Sequence, residues 1–421
     1  MRSKVKTLGM IGLVYLVVLS NSFSQGLTIE QAVESAIEND PVLASVYDKE
    51  KAYRQSSVAA SRLPDPRIKL GLMNFPTDTW KRNQEPMTQV QIGIQQMFPA
   101  GDTLDLKSAR ALNFASVEMA KAKMQKRNLV RDVRKAWLEY YYWLQAQKVV
   151  QKNRGLFRKL VKVTESNYSA GRQLQQHVIR AELELELLDD KESEIITKQR
   201  IARARLEKLI GKQIAGDKTE ITALSLPALP LPVAVQQYHK ALEQHPMFQM
   251  QQAKVSVTDT NIKLAKQGYK PDWMVDLTYG ARDETSTGKE RADFLSAMVS
   301  FSVPLFTGNF QDRKVAASKL KQNAALKNLK DVRNKLRQLY TASYAAWQQL
   351  TERSERYHKA LLVKAKQNSE ASLTSYQSGR GLFTDLMKAE ITEFNMQLKA
   401  LRIDVNKLKA LAELNYLLGE G

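Results

Sequence analysis

Tyr168-Ser169-Ala170-Gly171-Arg172, followed by Ala181-Glu182, returns as Tyr376-Gln377-Ser378-Gly379-Arg380, followed by Ala389-Glu390. Each copy closes on a hydrophobic pair and a glycine, Leu209-Ile210-Gly211 and Leu417-Leu418-Gly419. The offset is constant at 208 (379 − 171 and 419 − 211). Upstream, Pro64-Asp65 matches Pro271-Asp272 and Phe98-Pro99-Ala100-Gly101 roughly matches Leu305-Phe306-Thr307-Gly308, both at 207. Short-repeat solenoids have units of about 20–50 residues. A period this long marks a duplicated half-protein. Two tandem structural repeats are expected, at 27–211 and 236–419, joined by a connector at 212–235 that contains Pro227, Pro230 and Pro232.

Gly171 and Gly379 punctuate long helical patterns. No proline occurs from Leu104 to Ala170, and at ~1.5 Å per residue a helix of that length reaches roughly 100 Å. Such a helix needs lateral partners. A second helical pattern returns from Gln173 to Leu209, which predicts a long antiparallel hairpin with its tip near Gly171. The second half turns near Gly379 and returns to Leu418. At the start of the first repeat, Ile29, Ala32, Val33, Ala36 and Ile37 recur at helical spacing, with Thr28 and Gln31 as a capping box. Asn39-Asp40-Pro41 interrupts that pattern, and Pro41 suits the first position of the next helix. Ala241-Leu242 before His245-Pro246 repeats the arrangement.

Between the short helices and the long ones the period changes to two. Ile68, Leu70 and Leu72 share one face and Arg67, Lys69 and Gly71 the other; Val90, Ile92 and Ile94 likewise oppose Gln89, Gln91, Gly93 and Gln95. In the second half Trp273, Val275, Leu277 and Tyr279 oppose Met274, Asp276 and Thr278. Leu295, Ala297, Val299, Phe301 and Val303 oppose Ser296, Met298, Ser300 and Ser302. Strict alternation predicts strand pairs at about 66–97 and 273–303. These strands suit either a sandwich with one wet face or a membrane barrel with an apolar outside, where ~9–11 residues span the bilayer. Aromatics near the strand ends, including Phe75, Phe98, Trp273 and Phe306, fit an interfacial girdle. Even small barrels need about eight strands, so a membrane barrel built from four per chain must be shared between subunits.

The chain of 421 residues is 43% hydrophobic and 26% charged, a foldable balance. Arg2, Lys4 and Lys6, the apolar run Leu8–Leu19 and Ser22-Phe23-Ser24 read as a secretory signal over 1–24. The formal charge of +20 is spread along helices among Glu and Asp, as on a solvated face, and with export it argues against a nucleic-acid partner. The absence of cysteine excludes disulfides, thiol catalysis and cysteine metal sites. His177, His239, His245 and His358 show no metal-ligand spacing, and there is no phosphate loop and no nucleophile elbow. No enzyme and no cofactor are expected. The aromatic groups Trp137, Tyr140, Tyr141 and Trp143, and Tyr340, Tyr344 and Trp347, read as helix packing.

The tandem halves, the order helix–strand–strand–long helices and the Tyr-x-x-Gly tips together resemble the TolC-type outer-membrane efflux family over essentially the whole mature chain. The resemblance implies a mostly α fold with a small β part. Three chains would contribute four strands each to a twelve-stranded transmembrane β-barrel, and the helical hairpins would continue as a periplasmic α-barrel. It implies a homotrimer in the Gram-negative outer membrane, contacting lipid. Such a trimer serves as a passive exit duct for substrates delivered by an inner-membrane efflux pump through a periplasmic adaptor protein. Adaptor contacts are then expected at the tips, on Tyr168, Gly171, Arg172, Tyr376, Gly379 and Arg380.

Family members carry a constricting ring of aspartates just after the second-half glycine. Counting from Gly379, this chain has Asp385 and Lys388 there, and from Gly171 the corresponding positions are His177 and Arg180. Trimeric symmetry would turn each into a ring of charge that sets ion preference. The mixture of signs leads us to expect a mixed or anion-tolerant entrance. Pairing against a neighbouring helix is equally open to these side chains. Two other functions share parts of the pattern: the duct of a type I protein secretion system, and a periplasmic coiled-coil scaffold or adaptor. The alternating strands speak against the scaffold.

Overall fold

The computed structural model of the protein describes residues 27–211, 229–231 and 238–419. The expected signal segment, and the expected connector apart from 229–231, lie outside the described residues. Two short helices open the chain, α1 (Ile29–Asn39) and α2 (Pro41–Ala60). The capping box at Thr28 and Gln31 is formed, and Asp40 caps α2 with Pro41 in its first turn.

Strands β1 (Arg67–Met73), β2 (Gln89–Phe98), β3 (Trp273–Ala281) and β4 (Phe294–Phe301) form one antiparallel sheet in that order. The hairpin from each half meets the other through β2 and β3. Register aligns the alternation across all four strands. Ile68, Ile94, Leu277 and Ala297 make one row, and Leu70, Ile92, Tyr279 and Leu295 the next. The opposite face carries Lys69, Gly93, Thr278 and Ser296, beside Arg67, Gln95, Asp276 and Met298. On this face Asp276 accepts from Thr278 Oγ1 at 2.7 Å and pairs with Lys69. Gly93 makes room there, because a Cβ at that position would lie 2.6 Å from Thr278 Oγ1. The sequence expectation carried the last strand to Val303, whereas β4 ends at Phe301. Pro304, which has no N–H to pair, follows three residues on.

Helix α3 (Thr103–Ser169) runs unbroken for 67 residues. Helix α4 (Gln175–Ile210) returns beside it. The second half adds α5 (Tyr238–Glu243), α6 (Pro246–Gln267), α7 (Gln311–Arg356), a π-helical turn at Tyr357–Leu361, α8 (Leu362–Gln377) and α9 (Phe383–Leu418). The returning helices begin at Gln175 and Phe383, because Leu174 and Leu382 are extended cap residues; the first start was expected two residues earlier. Among the described residues no helix is long and apolar enough to cross a membrane.

The helices form a palisade that changes members along its length. Nearest the sheet, α2 packs on α3, α3 on α6, and α6 on α7. Toward the tips α4 packs on α3, α3 on α9, and α9 on α7 and α8. Leu138, Phe157, Leu188, Ile195, Leu386 and Met387 fill the seam between α3, α4 and α9. Trp137 and Tyr140 lock α1 and the end of α4 to α3, and Leu336 and Tyr340 hold α5, α6 and α9 to α7. Both aromatic groups noted in the sequence thus serve packing.

Candidate channel entrance at the helical tips

The two hairpin turns have one geometry. At the first, Gly171 N donates to Tyr168 O at 2.8 Å and Arg172 N to Asn167 O at 2.9 Å. At the second, Gly379 N donates to Tyr376 O and Arg380 N to Ser375 O, both at 3.0 Å. Gly171 (φ +71°) and Gly379 (φ +74°) adopt the left-handed conformation that lets a helix end reverse. Nothing lies within 4 Å of a Cβ placed on either, so backbone conformation alone demands glycine there.

The side chains around the turns differ. Tyr168 is exposed, whereas Tyr376 is buried against the first residue of α9, Phe383, with ring centroids 5.8 Å apart. The first-repeat counterpart of Phe383 is the exposed Gln175. His177 on α4 stacks on Phe383 at 5.2 Å, and its Nδ1 lies 3.2 Å from Gln173 Oε1. That oxygen also accepts from the Tyr376 hydroxyl at 3.1 Å. Gln173, His177, Tyr376 and Phe383 therefore bind the two tips of one chain together. His177 is a half-buried member of this seam.

Asp385 lies exposed in the first turn of α9, where the helix dipole favours a carboxylate, and Lys388 is exposed one turn later. Arg180 is exposed on α4, and Arg172 and Arg380 are exposed at the turns. Among the described residues none of these five forms an ion pair. The structure thus brings His177 together with Tyr376 and leaves the charged residues free at the surface of the single chain.

Behind the tips are polar links that periodicity did not reveal. Glu390, 3% exposed, accepts from Ser369 Oγ at 2.8 Å and fastens α8 to α9. Burial, with Glu393 adding like charge, raises its pKa. Its place in the repeated Ala-Glu dipeptide was the available signal, although its partner Glu182 is exposed. Farther along, Arg402 Nη1 donates to Glu139 Oε2 at 2.9 Å, and Lys409 pairs with the same carboxylate. Burial acts to raise the Glu139 pKa, but hydrogen bonds from Lys409 and Arg402 hold it below the usual range. The Arg402 guanidinium also lies over the Tyr142 ring at 3.3 Å. Asp404 accepts from Ser354 Oγ at 2.6 Å and lies 2.8 Å from His358 Nε2, which ties the π-helical turn to α9. No cluster among the described residues could hold a metal ion.

Residues 237–420 match the profile of a family described as outer membrane efflux protein. The match lies on the second half of the chain. No curated protein matches the chain in sequence. In fold, the outer-membrane channel OprN superposes with a TM-score of 0.80 at 15% identity, covering 93% of this chain and 90% of its own. The outer membrane protein VceC from Vibrio cholerae gives 0.77 at 14% identity, covering 93% of this chain and 96% of its own. The open state of the MtrE outer membrane channel of Neisseria gonorrhoeae gives 0.74 at 18% identity, covering 93% and 89%. The fold shared with these structures therefore extends over both halves, including the first, which the profile does not reach. The TolC-type resemblance read from the tandem halves, the order of elements and the tips holds.

Proposed function

We propose that the protein is the outer-membrane channel of an efflux system, working as a homotrimer. Three sheets close a twelve-stranded barrel in the outer membrane of a Gram-negative cell, and three helical palisades continue it as a tube into the periplasm. The observation that carries this reading is the sheet. Its apolar rows stand uncovered, with Ile68 and Leu70 among the most exposed hydrophobic side chains, while the opposite face is polar. A soluble chain does not leave such a surface to water. Lipid on one face and a wet lumen on the other satisfy both.

Edges support the trimer. β1 and β4 each lack a neighbour on one side, and unpaired edges invite strand addition. At the palisade's edge α4 presents exposed Ile179, Leu183 and Leu187 at four-residue spacing, as a helix awaiting a partner does. Closure by three copies covers every edge at once.

The tips take the adaptor contacts, through Tyr168, Gly171 and Arg172 and through Tyr376, Gly379 and Arg380, and an inner-membrane pump drives transport. The four gate positions divide in this reading. Asp385 and Lys388, with Arg180, supply charge to the entrance. His177 sets how tightly the tips close by stacking on Phe383. Opening is a change between packings of helix pairs. Single-channel conductance of the purified protein in planar bilayers tests the proposal, with Asp385→Ala and His177→Ala alongside. Discrete openings from a trimer are expected. Asp385→Ala should shift ion preference, and His177→Ala should raise the open fraction. A folded monomer that ignores lipid would overturn it.

A further inference from the structure

About a third of the way along α3, the carboxyl end of α9 meets the amino end of α6, with His245 edge-on to Tyr416. A cleft of about 320 Å³ opens at this junction. Lys123, Lys126, Arg127, Arg131 and Arg134 line it from α3 and Asn415 from α9, and no carboxylate among the described residues does. Two of these residues have unmet hydrogen-bonding capacity. Asn415 is 1% exposed, and neither its Nδ2 nor its Oδ1 has a partner among the described residues. Arg127 Nη1 is buried and equally unpartnered. Buried polar groups are nearly always paired, so an unmet amide and guanidinium on two residues that line one cavity call for a ligand.

The corresponding junction of the first half closes on its own groups. There Ser35 Oγ donates to Ile210 O at 2.8 Å at the end of α4. Asp40 caps α2 through Val42 N and Leu43 N, and accepts from Gln125 Nε2 at 2.7 Å. At the second junction the capping residue before the proline is His245, which accepts from Met247 N at 3.2 Å. It is fully buried, and burial followed by the nearby Arg127 lowers its pKa to about 4. The first junction thus supplies a negative charge from its own chain, while the second has a neutral imidazole and surplus cations. Arg131 is partly neutralised by Asp132 at 2.8 Å and lies over the Tyr416 ring. Arg127 has no ion-pair partner among the described residues.

We propose that this cleft binds a small phosphate-type oxyanion, held by Arg127 and Asn415 and drawn in by the lysines at its rim. An oxyanion accepts from a guanidinium and an amide together, and charge-assisted bonds of this kind are the strong ones. The site is remote from the tips and does not rest on the channel reading. It can therefore stand or fall separately from conductance.

The test is calorimetric titration of the full-length purified protein with inorganic phosphate at constant ionic strength. Saturable binding of one phosphate per chain is expected. Arg127→Gln and Asn415→Leu should weaken it by about tenfold or more. Lys126→Gln, a change at an exposed position that spares the core, should weaken it severalfold. Lys152→Gln, exposed elsewhere on α3, should leave it unchanged. Absence of saturable binding by the unmodified protein would overturn the proposal. So would equal losses in Lys152→Gln and Arg127→Gln, the mark of diffuse charge attraction. A chain lacking Glu420 and Gly421 serves as the last comparison. Binding by that chain alone would show the cleft filled by the protein's own carboxylates, and would also overturn it.

Discussion

Leu277→Arg and Thr278→Arg place the same side chain one residue apart on β3 and on opposite faces of the sheet. Leu277 is the middle residue of the nine in the strand, in the row with Ile68, Ile94 and Ala297. If that row faces lipid, an arginine at mid-bilayer costs about 2–4 kcal/mol. At 1.4 kcal/mol per tenfold, the folding equilibrium constant falls roughly 30- to 700-fold per chain, and a shared barrel carries three copies. Thr278 lies on the polar face beside Asp276 and Lys69. Arginine there forfeits one hydrogen bond, about 1 kcal/mol, and remains hydrated. The assay is the fraction of each variant recovered as folded, heat-modifiable trimer from outer membranes, followed by urea titration after refolding into vesicles. Leu277→Arg should abolish the trimer while Thr278→Arg stays near the unmodified level. Equal tolerance, or greater harm from Thr278→Arg, would refute the assignment of the faces and the barrel with it.

Gly171→Ala and Gly379→Ala should each cost about 1 kcal/mol from the left-handed backbone alone, seen as a lowered thermal midpoint without loss of the trimer. Glu139→Gln leaves Arg402 and Lys409 facing each other without their carboxylate. It should lower urea stability by about 1–3 kcal/mol. His245 makes stability depend on pH. Its folded pKa of about 4 lies below the ordinary 6.5, so the unfolded chain binds the proton more readily. Stability is full above pH 6.5 and falls as pH drops toward 4, by up to roughly 3 kcal/mol. His245→Asn keeps a capping side chain and should flatten that part of the urea midpoint–pH curve.

The elements and their faces were legible in the sequence, because each rests on local periodicity. Ile68, Leu70 and Leu72 declare a face by alternation, and the unbroken stretch before Gly171 declares a helix by lacking anything to end it. The two glycine turns were legible for the same reason, since a left-handed residue after a helix is a local demand. The repeat also implied two equivalent tips, and here tertiary packing decided otherwise. Phe383 buries Tyr376 and stacks on His177, while Gln175 in the equivalent place leaves Tyr168 in solvent. Likewise Glu390 is buried on Ser369 and Glu182 is exposed. The tie of the π-helical turn to Asp404, the Glu139 clamp and the closing of the basic run of α3 into a cleft gave no local pattern, because each takes its partners from helices far apart in the chain. A sequence period fixes which way a side chain points along its own helix or strand. What that side chain meets depends on which neighbour the fold brings to it, and burial, charge pairing and pKa follow from that neighbour.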